Sequence, residues 1–106
     1  MFFNVHGNIW KIQFVNPNSK ELLRSDGSST FGVTDNSKKT IFISDNLGKY
    51  MEDKVLCHEL CHVYAMEFNY IMDIETEEIV ADFFSLFGRK IIYQLDDLIK
   101  LLERVA

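Results

Sequence analysis

Two histidines stand four positions apart in the stretch CHELCHVYA, His58 and His62, with Glu59 directly after the first. Four residues advance a helix by little more than one turn, so both imidazoles leave one face and point at a common spot. Two neutral imidazole nitrogens are good ligands for Zn²⁺. Glu59, about 100° round the helix from His58, stands where a carboxylate reaches a water beside the ion without binding the ion itself. That is the place for a general base. A shuffled chain of this composition yields the same H-E-x-x-H pattern in roughly one sequence in 200, so mere polar decoration of a helix is the poorer reading.

A tetrahedral catalytic centre needs a third protein ligand and one open position. A third histidine six residues after His62 is absent, since position 68 is Phe. The segment ETEEIVADFFSLFGR offers another answer: Glu78, Asp82, Ser85 and Arg89 recur at i, i+4, i+7 and i+11, a polar stripe on an otherwise apolar helix. Glu78 can ligate, and Asp82, one turn on, can orient a ligand histidine from behind. Glu75 and Glu77 are rival ligands, and the bland alternative is that the stripe faces solvent. Cys57 and Cys61 also lie four apart, but they are rotated about 100° from the histidines and cannot enclose the same ion. Their helical spacing suits a disulfide poorly, so they read as small buried hydrophobes with free thiols. His6 falls in a turn, where a structural or solvent-facing role is expected.

These side chains need a scaffold. Ile9 to Val15, Thr30 to Thr34 and Thr40 to Ser44 are rich in β-formers and are separated by turn-rich segments such as NPNSKE and DNSKK. Whether Met1 to Val5 adds a fourth strand through His6-Gly7-Asn8 stays open, because Gly7-Asn8 is only a moderate turn signal. From Ser44 the period changes. Ser-Asp-Asn offers an N-cap, and Met51, Val55, Leu56, Leu60, Val63 and Tyr64 recur at spacings of three and four, a helix of about 20 residues. Asp73 can cap a second helix, and Glu75 to Val105 is helical in composition with Gly88 its one break, giving two C-terminal helices or one bent near Gly88. Phe83, Phe84, Leu86, Phe87, Ile91 and Ile92 read as core. Strands first and helices after predict one α+β domain over residues 1–106, a small, mostly antiparallel sheet of three to four strands with the helices on one face.

Composition narrows the partners. The 106 residues carry a net charge of −5 with no basic cluster larger than a pair, which argues against nucleic acid. No apolar run approaches the roughly 20 residues that span a bilayer, and the N-terminus has no secretory pattern, so a cytoplasmic protein is expected. Two free thiols fit a reducing compartment.

His58-Glu59-Leu60-Cys61-His62 followed by Glu78-Ile79-Val80-Ala81-Asp82 resembles the gluzincin metallopeptidases, an H-E-x-x-H and a downstream E-x-x-x-D. EIVADFF is similar to the phage-type ImmA/IrrE metallopeptidases, and the short length to the minigluzincins. The resemblance runs from about Thr30 to Arg89. It implies a zincin-like fold, Zn²⁺ held by His58, His62 and Glu78, Asp82 behind them, Glu59 as the catalytic base, and hydrolysis of peptide bonds. It further implies that Thr30, Phe31, Gly32 and Val33 form an exposed edge strand on which a peptide or protein substrate lies by β-augmentation. The subdomain that closes the cleft of larger gluzincins, with its oxyanion-stabilising histidine, has no counterpart. Tyr64, Tyr70, Tyr93 or His6 are the groups that can substitute, and the tail Tyr93 to Ala106 can cover the site in a self-blocked form. The alternative function is a non-catalytic zinc-binding regulatory or interaction module. Oligomeric state is not legible.

Overall fold

The computed structural model describes residues 1–105. The chain opens with a hairpin, β1 (Phe2–Val5) and β2 (Asn8–Val15), so the fourth strand exists. Its two-residue turn is His6-Gly7, with φ of 52° and 85°. Positive φ at both central residues is the turn that matches strand twist, and Gly7 supplies the second at no steric cost. The turn falls one residue earlier than Gly7-Asn8 suggests.

After a short 3₁₀ turn (Lys20–Leu22) come β3 (Gly32–Asp35) and β4 (Thr40–Ser44), and the strand order is β1-β2-β4-β3. Two of the three pairings are antiparallel, while the central β2–β4 pair is parallel. The sheet is therefore mixed but mostly antiparallel, and β3 lies at its edge. Every residue of β4 is buried. Trp10, Ile41, Ile43 and Val63 are fully buried and join the sheet to the first helix, α1 (Lys49–Glu67).

That helix begins later than the Ser-Asp-Asn signal implies. Ser44 is held in the sheet by its amide bond to Phe31 O, Asp45 N bonds to Val15 O, and Gly48 takes the cap position without a side-chain bond. The other end of α1 is pinned by Glu67. Its carboxylate accepts from Trp10 Nε1 at 3.0 Å, from Lys39 Nζ at 2.8 Å and from Asn8 Nδ2, tying the hairpin to the helix. The bond from Lys39, then that from Asn8, holds the Glu67 carboxyl down at about 2.

The second helix, α2 (Ile74–Val105), is continuous through Gly88, so one 32-residue helix stands where two, or one bent, were expected. Asp73 caps it, its Oδ1 accepting from Thr76 N at 2.8 Å. The ring of Phe84 lies over Gly88, 2.8 Å from where a Cβ would sit, so the ring covers backbone that glycine would otherwise leave wet. α2 returns along α1 as a helical hairpin, with Ala81 and Gly88 buried between them. The expected core cluster is another matter: Phe83, Phe84, Leu86, Phe87, Ile91 and Ile92 are all about half exposed. α2 is apolar over much of its circumference and only one side meets α1. Among the described residues, no helix is long and apolar enough to cross a membrane.

Candidate metal centre

α1 runs between the sheet edge and α2, so its polar residues are buried at a junction instead of facing water. Glu59 and His62 are buried, and His58 is nearly so. His58 Nε2 and His62 Nε2 are 3.2 Å apart. Glu78, from the first turns of α2, sets Oε1 at 2.8 Å from His62 Nε2 and Oε2 at 3.2 Å from His58 Nε2. The far nitrogens are engaged as well: His62 Nδ1 meets Glu77 Oε2 at 2.6 Å and His58 Nδ1 meets Asp82 Oδ1 at 2.9 Å. With each Nδ1–H donating to a carboxylate, both Nε2 atoms present lone pairs to one another and to the Glu78 carboxylate. Three acceptors thus converge with no donor among them. Protonating both rings instead would set two positive charges side by side. A single extra proton on one ring, or a metal cation, resolves the arrangement. Two nitrogens each about 2.0–2.1 Å from one tetrahedral Zn²⁺ stand roughly 3.3 Å apart, close to the separation here. His58, His62 and Glu78 are accordingly positioned to bind a metal, their ligand atoms lying within 4.8 Å of one another.

Of the rival carboxylates, Glu77 points at the back of His62, and Glu75 is an exposed first-turn residue. Asp82 stands behind His58 as the spacing suggested, although its side chain is two-thirds exposed where that of Glu77 is mostly buried. The role of Glu77 as a partner of His62 was not read from the sequence.

Glu59 aims Oε2 at the centre, 3.9 Å from His58 Nε2. Its other oxygen accepts from Thr34 Oγ1 at 2.9 Å. Burial pushes the Glu59 carboxyl up, and the Thr34 bond opposes that in part. Thr34 is a second residue that no sequence pattern singles out, because only the packing of β3 on α1 brings it there. Gly32 makes that packing possible. A Cβ at this position would sit 2.6 Å from Val55 Cγ1 and 3.2 Å from Glu59 Cγ.

β3 carries the expected edge, displaced along the chain. Phe31 O accepts from Ser44 N, which fixes the phase of the antiparallel ladder: Val33 and Asp35 point their main-chain groups into the sheet, Gly32 and Thr34 outward. The amide of Thr30 is already bonded to Leu22 O. The free edge is therefore Gly32 and Thr34, with Thr30, Phe31 and Val33 lining the same cleft of about 820 Å³ beside the three ligands and Glu59. Arg24 and Lys54 lie at its wall.

None of the proposed oxyanion partners lines that cleft. Tyr64 and Tyr70 face an apolar groove together with Cys57 and Cys61, His6 packs on Phe68 at 4.3 Å, and Tyr93 is exposed on α2. Both cysteines are free, and burial pushes the Cys61 thiol up to about 11. Arg89, the last residue of the polar stripe, binds Asp53 of α1 at 2.6 Å. The tail from Tyr93 continues as helix and does not fold over the cleft; its last residue, Ala106, lies outside the described residues.

The family model described as the IrrE N-terminal-like domain, a peptidase family, matches residues 14–94. No curated protein and no solved structure matches the chain.

Proposed function

The chain belongs to the IrrE N-terminal-like domain family of peptidases, and from that membership and the three-ligand centre we propose that it is a zinc metallopeptidase acting on extended peptide segments. The observation that carries this reading is the convergence of His58 Nε2, His62 Nε2 and the Glu78 carboxylate beside a buried, separately held Glu59. Zn²⁺ at that point supplies Lewis acidity, drawing the pKa of a water toward about 7 and polarising a carbonyl.

The protein's own groups do the rest. Glu77 and Asp82 fix the tautomer and ring orientation of His62 and His58. Thr34 holds Glu59 Oε1, leaving Oε2 turned to the centre, where it accepts the proton of the attacking water and passes it to the departing amine. An extended peptide pairs with the outward main-chain groups of Gly32 and Thr34, which lays its backbone across the centre. Free thiols at Cys57 and Cys61 favour a cytoplasmic setting.

Elemental analysis and a peptide-library cleavage screen test the assignment together. Wild type is expected to hold one zinc and to cleave. Glu59→Gln should hold zinc and not cleave, and His58→Ala should lose both. Equal metal loss in both variants would remove the general-base role. Among the described residues no Tyr, and no His besides His58 and His62, lines the cleft, which favours one second reading, a zinc-binding module without turnover. Zinc that raises Tm in a wild type showing no cleavage of any library peptide would decide for it.

A further inference from the structure

Arg89 of α2 pairs with Asp53, one turn inside the start of α1, so α1 begins within about a turn of that level. Beyond Arg89 α2 runs on for some 16 residues, roughly 24 Å of helix, none of them buried. Its apolar side does not stop there. Ile91, Leu95, Leu98, Leu102 and Val105 recur at spacings of four, three, four and three, continuing the line of Ala81 and Gly88 that packs on α1. Leu98 is 50% exposed and Leu102 68%. The charged residues Asp96, Asp97, Lys100, Glu103 and Arg104 all lie on the opposite side.

The molecule also exposes more surface than its size calls for. A compact monomer of this mass has roughly 6,100 Å² of accessible surface. The chain has 7744 Å², a surplus of about 1,600 Å², and a stable dimer needs about 800 Å² from each partner. Its radius of gyration is 16.1 Å, where a compact chain of this length has about 13 Å.

We propose that the α2 tail is the dimerisation element of this protein and that its occupant is the α2 tail of a second copy, lying antiparallel. The tail is self-complementary in that sense. A register centred between Asp96 and Asp97 sets Leu95 against the partner copy's Leu98 and Ile91 against its Leu102, two apolar pairs that the two-fold axis repeats as four layers. The antiparallel sense places the two folded bodies at opposite ends of the pair, where a parallel one would crowd them together. It also aligns the helix dipoles favourably. The cleft's α2 residues Glu78, Asp82 and Ser85 lie nearer the start of the helix than the paired segment, which begins at Ile91.

Sedimentation equilibrium of the full chain tests the proposal, with Leu98→Glu on the seam and Phe83→Glu away from it. Both side chains are half exposed, so neither change burdens the core, and circular dichroism checks that helicity is kept. Wild type and Phe83→Glu should sediment at twice the 12.4 kDa chain mass, with Leu98→Glu monomeric through at least a 100-fold rise in Kd. Spin labels at Lys90→Cys should lie farther apart across the dimer than labels at Asp97→Cys, by roughly 20 Å along the axis. A wild type monomeric at about 100 μM, a dimer indifferent to Leu98→Glu, or equal label separations at the two sites would overturn the proposal.

Discussion

The two halves of α2 share one sequence style, apolar with a polar strip, and differ in what surrounds them. From Ile74 to Arg89 the helix lies along α1, buries Ala81 and contributes Glu77, Glu78 and Asp82 to a centre assembled from two helices. From Lys90 to Val105 it buries no residue. Helical periodicity says which side of a helix is apolar; the neighbour covering that side is a separate fact, decided by where the other elements end. Here α1 begins near the level of Arg89, and the proposed function and the proposed association divide at about that level.

Substitutions in the two halves should therefore separate cleanly. The largest difference is expected between Glu78→Ala and Leu98→Glu: zinc affinity should fall on the order of 1,000-fold in the first, beyond the range for supporting residues, and stay unchanged in the second. Competition with a chromophoric chelator measures both. Within the first half, Glu77→Gln should weaken zinc by about 10- to 100-fold and Asp82→Asn by less, because the His62–Glu77 contact is buried and the His58–Asp82 contact is open to water. An equal loss for the two would mean that exposure does not grade these partners. Ala81→Leu, which overfills the α1–α2 seam, should cost about 1–3 kcal/mol in urea unfolding.

A test outside α2 sets the scale for a polar contact that has nothing to do with the centre. Glu67 titrates at about 2 in the folded protein instead of 4.5, so its bonds add stability that is complete above pH 4.5 and fades as the pH falls toward 2. Glu67→Gln should be less stable than wild type at pH 7, and the gap should narrow over that acid range. A gap independent of pH would assign the effect to packing. The smallest change is expected from Leu102→Ala in dilute, monomeric protein, about 0.5 kcal/mol or less.

The three metal-positioned residues were legible because a helix carries its own geometry: spacing alone brings His58 and His62 together, and the next polar stripe offers Glu78. The position of Glu59 beside them followed from the same rule. Roles that depend on two elements meeting were hidden. Thr34 reaches Glu59 only across the β3–α1 contact, and Glu77 was indistinguishable from a rival ligand until its helix had a fixed rotation. The parallel β2–β4 pairing was hidden for a similar reason, since strand composition marks strands but not their partners. The β1–β2 turn was underrated because it asks a histidine to adopt positive φ. The Phe83–Ile92 cluster reads as core on hydrophobicity, which says nothing of coverage.

Gly32 has a consequence for anyone who surveys tolerance to mutation. It has no side chain to contribute, yet the space a methyl would need is already filled by Val55 and the stem of Glu59. Any side chain there must drive the edge strand away from the helix, widening the gap that a bound peptide has to bridge to reach the carboxylate. In a saturation scan, position 32 should thus rank with the ligands themselves, an intolerant site whose contribution is an absence.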